Sequence, residues 1–452
     1  MSALVPAAGV KAAGIPNDSG AVLHALNRLT FGPRADEVER VRRTGLAEWI
    51  DAQLNPARID DATLERRLPR PPIDAPRFDS PAAFAKAPAA RMEARRAARD
   101  AVGDLASVKL LRAAYSERQL EEVLVDFWFN HFNVFAGKGR TAIYLPDYER
   151  EAIRPFVLGR FRDLLGATAH HPAMLFYLDN WMSVDPDAAA RQTQRRPNAA
   201  AQPRRPGLAP QGRPGLVLQT RRKGLNENYG RELLELHTLG VDGGYTQKDV
   251  IEVARAFTGW TIAPGTNEFR FARAMHDDGA KVVLGQTIKA GGGIEDGERV
   301  LDIVARHPST AHHIAFELAQ RFVSDEPPES LVTRAATRFK ETDGDLREVV
   351  RTIVTSPEFF AAEARNAKVK TPLEFVVSAV RATGSDEPNM QPMVRGLREL
   401  GMPLYGCQPP TGYDDTAATW ISSGSLVARI NLAQQLAGDK ADIVSAPEFQ
   451  RR

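Results

Sequence analysis

The sequence predicts one large, mainly α-helical domain with a small β-hairpin and a long disordered insertion. Apolar residues recur at helical spacing, with capping and stop signals, through most of the 452 residues. Apolar residues make up 43% and charged residues 26% of the chain, which is typical of a globular protein. We expect a flexible N-terminus over residues 1–20, the helical domain over 21–440 and a C-terminal tail over 441–452.

The charge balance and the cysteine content exclude several classes of protein. The 59 basic and 57 acidic residues nearly cancel, so the overall charge favours no polyanionic partner. The single Cys407 excludes an internal disulfide and a cysteine-cluster metal site. No stretch approaches the ~18 consecutive apolar residues of a transmembrane helix. Residues 1–20 show no basic region followed by an apolar run, so no signal peptide is visible, and the compartment stays open.

The first part of the chain is predicted as helices separated by proline and glycine stops. Val22, Leu23, Leu26 and Leu29 lie at helical spacing before Gly32-Pro33. The following predicted elements are helices over 34–43 and 46–54, a Pro/Ala-rich linker over 67–88, and a long helix from 89, broken near 115–116 and resuming over 119–135.

The segment 185–222 has a different composition, dominated by Pro, Arg, Gln, Ala and Gly. It contains too few apolar residues to offset the entropy of ordering, so we predict a disordered insertion. Its arginines suggest nucleic acid, but the segment has no aromatic residue for base stacking. We therefore favour a solvated loop and expect no nucleic-acid partner.

After this insertion, the pattern predicts a central helix over 225–239 that ends at Gly240. Thr246 and Asp249 form a capping-box pattern for the next helix. A hairpin is predicted between 269–277 and 281–288, around Asp278-Gly279. With Asp296 and Asp345 as N-caps, the remaining predicted helices cover 297–306, 309–323, 329–340, 345–355, 371–383, 391–400 and 423–437.

The central helix carries an unusual number of polar groups on one face. Glu227, Arg231 and Glu235 follow at i, i+4 spacing, as in an ordinary exposed ion-pair ladder. The alternative is that Asn228 and Glu232, one turn apart, line a cleft. His237 falls on the apolar side, which favours a hydrogen-bonded core histidine.

A second helix combines aromatic and polar residues in Phe127-Trp128-Phe129-Asn130-His131. Polar groups on so apolar a helix need partners, which predicts either a structural hydrogen-bond network or a binding cleft. We expect Asn228 and Glu232 to face the segment from Trp128 to His131. The candidate catalytic residues are Glu232 and His131; the candidate substrate-binding residues are Asn130, Asn228, Arg231 and Trp128.

Motifs for metals and cofactors give no assignment. The chain has no His-Glu-x-x-His pair and no phosphate-binding glycine loop. His313 and Glu317 have i, i+4 spacing, and His276-Asp277-Asp278 lies at the predicted hairpin tip, but exposed helices and turns commonly carry both patterns. We predict no metal site, and the cofactor stays unknown.

Several segments together resemble the bacterial family known as domain of unknown function 1800. They are 26–32, 127–132, 226–260, 276–277, 322–323, 352–360 and 420–431, within a resemblance that runs from about residue 22 to 438. The resemblance implies a mainly helical fold but no established activity. Family members are often exported and often encoded beside a sulfatase-like family, which implies an envelope or polysaccharide setting with a polysaccharide or that neighbour protein as partner.

Two functional hypotheses follow. In the first, the protein is a hydrolase or lyase acting on an envelope or extracellular polymer, with Glu232 and His131 in acid–base roles. In the second, it is a non-catalytic scaffold or partner-binding module, and the same polar groups form a structural network. The hypotheses differ in whether Glu232, Asn228, Asn130 and His131 converge on one open pocket.

Overall fold

The prediction of a mainly α-helical fold is confirmed by the computed structural model, which describes residues 14–68, 88–187, 224–384, 390–437 and 440–452. Helices make up most of these residues. One large hydrophobic core collects buried side chains from Ala21 to Val444, and Ala98, Ala142 and Ile143 form a small second cluster. None of the described helices is both long and apolar enough to cross a membrane.

The helices in the first part of the chain follow the predicted order, with one additional helix, Ala62–Arg67, that was not predicted. They are α1 (Ser19–Leu29), α2 (Glu37–Thr44), α3 (Leu46–Gln53), α4 (Ala62–Arg67), α5 (Pro88–Tyr115) and α6 (Gln119–His131). A region without a sequence prediction then forms α7 (Thr141–Asp147), a π-helix (Tyr148–Ile153), α8 (Phe161–His170) and α9 (Pro172–Tyr177). Pro146 lies inside α7 and lacks an N–H group, which accompanies the change from α- to π-helical hydrogen bonding.

The second half is also mostly helical. After α10 (Asn228–Glu235) and α11 (Gln247–Ala256) come α12 (Ile294–Ala305), α13 (Pro308–Phe322), α14 (Glu329–Glu341), α15 (Leu346–Val354), α16 (Pro357–Phe360), α17 (Pro372–Thr383), α18 (Met390–Glu399), α19 (Ala417–Trp420), α20 (Ser423–Ala437) and α21 (Ala441–Ser445).

The two segments of the predicted hairpin, 269–277 and 281–288, do not pair with each other. The structure contains two hairpins: β1 (Trp260–Ile262) pairs with β2 (Phe269–Phe271), and β3 (Lys281–Val283) pairs with β4 (Gln286–Ile288). The turn of the second hairpin is Leu284-Gly285, with φ values of 47° and 76°. Positive φ at both positions is the requirement of a two-residue type I′ turn, so this turn and not Asp278-Gly279 reverses the chain.

Asp296 does not cap a helix as predicted, because α12 begins two residues earlier, after Gly293. Its carboxylate is 1% exposed, 2.7 Å from Lys281 Nζ and 3.1 Å from His276 Nε2. This buried carboxylate pairs with the Lys281 ammonium group and contacts the His276 ring, and it thereby joins the start of β3 to α12.

The central helix α10 is shorter than the predicted 225–239. After Glu235 the chain makes a wider turn, in which the N–H of His237 donates to Glu232 O at 3.0 Å and that of Leu239 donates to Leu234 O at 2.9 Å. These are bonds to the fifth preceding residue, the pattern of a π-turn. Gly240 ends the turn with φ of 85°, as its sequence position predicted.

Three of the predicted segments lie partly outside the described residues. Within the predicted insertion 185–222, residues 185–187 are described, and Asp185 is buried with its N–H donating to Met275 O at 2.8 Å. The start of the insertion is therefore part of the fold. Residues 188–222, the predicted flexible 1–13 and most of the predicted linker, 69–87, lie outside the described residues.

The segment 441–452, expected as a tail, is folded onto the domain. It contains α21 and a 3-10 helix (Pro447–Gln450), and Arg451 forms a β-bridge with Val369. Arg452 is almost completely buried. This segment folds onto the domain because Gln450 and Arg452 pair with buried polar groups, and their sequence pattern does not indicate these contacts.

Helix capping explains two of the correctly predicted starts and gives a test of stability. Thr246 Oγ1 accepts a hydrogen bond from Asp249 N, and Asp249 Oδ2 accepts one from Thr246 N. Asp345 Oδ1 accepts from Glu348 N. Thr246→Ala and Asp345→Ala should each lower the free energy of unfolding by about 1 kcal/mol in denaturant titrations. Thr266→Ala, at an exposed threonine between β1 and β2, is the matched control and should change little. Neutral results at both caps would contradict the capping assignment.

Candidate functional site

The histidine at the end of α6 joins three separate segments. His131 Nδ1 lies 2.6 Å from Glu317 Oε2 on α13, and its Nε2 lies 3.2 Å from the backbone oxygen of His237. The ring packs edge-on against Trp128 and Phe132. His131 is therefore held by aromatic contacts on its faces and by oxygen atoms at both nitrogens.

Both contacts of His131 are to acceptors when Glu317 is ionised. Burial tends to raise the pKa of the Glu317 carboxyl, but the neighbouring His131 and His313 outweigh it, and the pKa is lowered. A neutral imidazole carries one N–H, whereas an imidazolium donates from both nitrogens. The geometry thus provides an oxygen acceptor at each ring nitrogen of His131.

A second histidine approaches the same carboxylate. His313 Nε2 lies 3.5 Å from Glu317 Oε1 and 3.3 Å from Leu236 O. The two histidines therefore flank one carboxylate and reach consecutive carbonyl groups of the π-turn after α10. Glu317 is the common partner of this cluster.

His237, predicted as a hydrogen-bonded core histidine, is fully buried, but its Nε2 has no hydrogen-bond partner among the described residues. Burial and the nearby His131 and His313 hold its pKa well below the usual value. His237 is therefore neutral, and it contributes its backbone oxygen to His131.

A cleft of about 350 Å³ opens beside this cluster. It is lined by Phe127, Asn130, His131, Glu317, Gln320, Thr411, Gly412, Tyr413, Asp414 and Asp415. The side chain of Glu317 is 29% exposed and that of His131 only 3%. The carboxylate, with the imidazole packed beside it, is therefore the group of the pair that a ligand in the cleft reaches.

Asn130 fixes the loop that forms the opposite wall. Its Nδ2 donates to Tyr413 O at 2.7 Å, and Tyr413 N donates to its Oδ1 at 2.7 Å. Gly412 has φ of 72°, and a Cβ atom there would collide with the backbone oxygen and the amide of Asn130. The amide of Asn130, predicted to bind substrate, is used to hold the loop.

Trp128, also predicted to bind substrate, lies in the core and does not line the cleft. Its side chain is fully buried, and Nε1 donates to Val157 O at 3.3 Å. The indole contacts the His131 ring and so supports it. Because the side chain of Trp128 has no exposed surface, a ligand in the cleft cannot contact it.

The predicted residues of α10 lie away from the cleft lining. Asn228 is exposed and its Nδ2 is 3.4 Å from Leu178 O; Arg231 Nη2 donates to Gln247 Oε1 at 2.9 Å. We expected Asn228 and Glu232 to face the Trp128–His131 segment; among the described residues no hydrogen bond or ion pair joins them to it, and the bond between these segments is made by the backbone of His237. Of the four residues expected to converge on one pocket, Asn130 and His131 line the cleft, whereas Asn228 and Glu232 do not.

Glu232 keeps one property of a functional group. It is half-buried, and no hydrogen bond to its side-chain oxygens occurs within the described part of the chain. Burial and the neighbouring Glu235 raise the pKa of its carboxyl, with Arg231 opposing them. Glu232 is thus a half-buried carboxyl without a hydrogen-bond partner for its side chain among the described residues, and it does not line the cleft.

Sequence reasoning missed Glu317 and the 411–415 loop. The i, i+4 spacing of His313 and Glu317 was the available signal, but it does not distinguish an exposed pair from a buried one. The loop has no motif, and its contact with Asn130 joins residues 283 positions apart.

The described residues contain no group of three or more His, Cys, Asp or Glu side chains arranged to hold a metal ion. His276, weighed as a cation ligand, is buried. Its Nδ1 lies 2.8 Å from Thr258 O and its Nε2 contacts Asp296. Its ring nitrogens are therefore committed to neighbours in the core.

The paired hydrogen bonds between Asn130 and Tyr413, here called the loop clasp, predict that alanine destabilises the protein more at Gly412 than at Gly401. Gly412→Ala should destabilise by about 1 kcal/mol or more, because it adds a collision to the strain of positive φ. Gly401→Ala is the matched control, with φ of 83° and open space around the added methyl group. Thermal unfolding compares the two, and hydrogen exchange of the 411–415 amides locates the effect. Equal losses at both glycines would show that the clasp contributes nothing beyond backbone strain.

Comparison with known proteins supports the resemblance described above. A family model described as "Protein of unknown function (DUF1800)" matches residues 24–450, a range that includes α6, α13 and the 411–415 loop. No curated protein and no solved structure matches the chain. Since the model covers nearly the whole chain, the protein belongs to the DUF1800 family of proteins of unknown function.

Proposed function

We propose that the protein is a hydrolase or lyase of an envelope or extracellular polymer, with Glu317 as the general base of the cleft. The observation that carries the proposal is the 2.6 Å contact between Glu317 and His131 at the wall of an open cleft. The lowered pKa keeps the Glu317 carboxylate ionised, and the short contact with His131 fixes its orientation. Ionisation leaves the lone pairs of the carboxylate available to accept a proton from a substrate or from water, while the lowered pKa limits the strength of this base.

The cleft lining suits a hydroxyl-rich substrate such as a polysaccharide. Phe127 and Tyr413 supply aromatic surface, and Gln320, Thr411 and Asp414 supply polar groups. Aromatic faces pack against the apolar faces of sugar rings, while amides, hydroxyls and carboxylates bond to sugar hydroxyl groups. The polymer class itself comes from the genomic setting of related proteins, which the sequence resemblance implied.

In the hydrolytic version, Glu317 takes a proton from water as the water oxygen bonds to the substrate. The bond to the leaving oxygen breaks, and that oxygen takes a proton from solvent water in the cleft. In the lyase version, Glu317 removes a proton from carbon, the C–H electron pair forms a carbon–carbon double bond as the bond to the leaving oxygen breaks, and that oxygen takes a proton from solvent water. His131 is a positioning residue in both versions, because its side chain is only 3% exposed and that of Glu317 is 29% exposed.

This proposal changes the roles expected from the sequence. The base moves from Glu232 to Glu317, and Asn130 and Trp128 become positioning residues for the loop and for His131. Asn228 and Arg231 take no part in the cleft, since neither lines it.

The alternative function is a non-catalytic scaffold or partner-binding module. A specific observation favours it: both nitrogens of His131 and both ends of the Asn130 amide already have protein partners. In this interpretation the cluster connects helices, and the cleft holds a segment of a partner protein.

A substitution at Glu317 separates the two functions. Purified protein is first screened on a panel of polysaccharides for release of reducing ends or of unsaturated products. Glu317→Gln should lower kcat by about 10²–10⁴-fold, the usual contribution of a general base, with KM little changed. His131→Asn should lower kcat less and move the acidic limb of the pH profile upward, because the carboxyl loses its cationic neighbour.

Glu232→Gln is the matched carboxyl control and should keep full turnover. Turnover that survives Glu317→Gln would exclude Glu317 as the base. A wild-type protein without turnover on the panel, whose Glu317→Gln variant loses only stability, would favour the scaffold.

The two carboxyls should also affect stability with opposite pH dependence. The lowered pKa of Glu317 means that its contribution is present above the ordinary value of 4.5 and is lost as the pH falls through the folded-state pKa. The raised pKa of Glu232 means that its ionised form is disfavoured in the folded state, so stability is lost as the pH rises above 4.5. Glu317→Gln should therefore be more destabilising at pH 7 than at pH 3.5, and Glu232→Gln relatively stabilising at pH 7. Parallel pH curves for the two variants in denaturant titrations would contradict these environments.

A further inference from the structure

A buried cluster of charged side chains lies where α1, α13 and α17 meet the segments around 368–370, 415 and 450–452. Its cationic members are Arg28, Arg321, Lys368, Lys370, Arg429 and Arg452, all buried. Its carboxylates are Glu374, Asp415 and Asp325. The cationic groups outnumber these carboxylates, so the cluster has a local excess of positive charge.

The carboxylates are already engaged by other members of the cluster. Glu374 lies 2.5 Å from Arg321 and 3.1 Å from Arg452, and its second oxygen accepts from Thr371 N. Asp415 lies 3.1 Å from Arg452 and 3.5 Å from Lys368. None of these ion pairs includes Arg28.

Arg28 has unused donors in the middle of this excess charge. Its side chain is 0% exposed, and Nη2 donates to Ala364 O. Its Nε and Nη1, together with Nε of Arg452, have no hydrogen-bond partner among the described residues. Burial and the nearby Arg452 lower the pKa of Arg28 to about 9.

In another buried arginine of this protein, Arg381, all three guanidinium nitrogens donate hydrogen bonds. Arg381 donates from Nε to Gly32 O at 2.5 Å, from Nη1 to Ala114 O at 3.0 Å and from Nη2 to Glu37 Oε2 at 3.1 Å. Buried polar groups normally find partners in this way, because an unpaired donor loses its hydration without compensation. The described part of the chain therefore supplies no partner for Nε and Nη1 of Arg28.

We propose that Arg28 and Arg452 bind a small inorganic anion through the free N–H groups of Arg28 and Nε of Arg452. An anion accepts hydrogen bonds and also offsets the excess positive charge, whereas a water molecule does only the first. The ligand is small because both guanidinium groups are buried and neither lines the cleft beside Glu317. Chloride, sulfate and phosphate share the required chemistry.

Thermal unfolding at constant pH and ionic strength tests the proposal, with sodium gluconate replaced stepwise by chloride, sulfate or phosphate. A specific site raises Tm along a saturating curve, because the ligand binds the folded state. Sulfate and phosphate also stabilise proteins in general, without saturation at low concentration. The anion with the lowest half-saturating concentration identifies the ligand.

Arg28→Met removes the free donors and should abolish the saturating part of the curve. Arg381→Met is the matched control: it removes another buried arginine, lowers Tm, and should keep the same half-saturating concentration. Identical anion curves for wild type and Arg28→Met, or a wild-type curve that does not saturate for any of the three anions, would overturn the proposal.

A second measurement does not depend on the variant folding. Wild-type protein is exchanged into gluconate by gel filtration, titrated with the identified anion, and passed again through gluconate before acid denaturation. Ion chromatography should then find about one equivalent of that anion per chain, as expected for one site. An anion content no higher than that of the gluconate buffer, together with a non-saturating Tm curve, would mean that water fills the site.

Discussion

The contact between His131 and Glu317 is the interaction on which the candidate site depends. It joins the end of α6 to the middle of α13, and His131 reaches the π-turn after α10 through its other nitrogen. Burying an imidazolium or a carboxylate alone is costly, and the cost is offset only when charge and hydrogen bonds are both satisfied. The positions of the three segments are therefore coupled, because a shift of any one of them leaves a buried ionic group without its partner.

Three side chains near the end of α6 make three different contacts. Trp128 enters the core, Asn130 clasps the 411–415 loop and His131 meets Glu317. Consecutive helical positions point in different directions by about 100°, which makes this division geometrically simple. One rigid helix end thus sets both walls of the cleft, and the exposed carboxylate is positioned by groups whose own rotamers are fixed.

The parts of the fold that local chemistry determines were predictable from the sequence. Thr246 and Asp345 cap the helices they were expected to cap, and Gly240 adopts the positive φ that its position required. The strand pairing was not predictable, because Asp278-Gly279 is as good a turn signal as Leu284-Gly285. His131 and Asn130 were found as unusual polar residues on an apolar helix. Glu317 and Tyr413 were not, since their roles arise from contacts across 186 and 283 positions of the chain.

The π-turn after α10 makes chain length as important as residue identity in this region. Its bonds to the fifth preceding residue accommodate one more residue than a regular helical turn would. A deletion of one residue between Glu235 and Gly240 would let the helix continue regularly and would rotate every later group by about 100°. The carbonyl groups of Leu236 and His237 would then turn away from both histidines. Homologous chains that keep this cluster are thus constrained to keep the spacing between α10 and Gly240, even where the side chains within it vary.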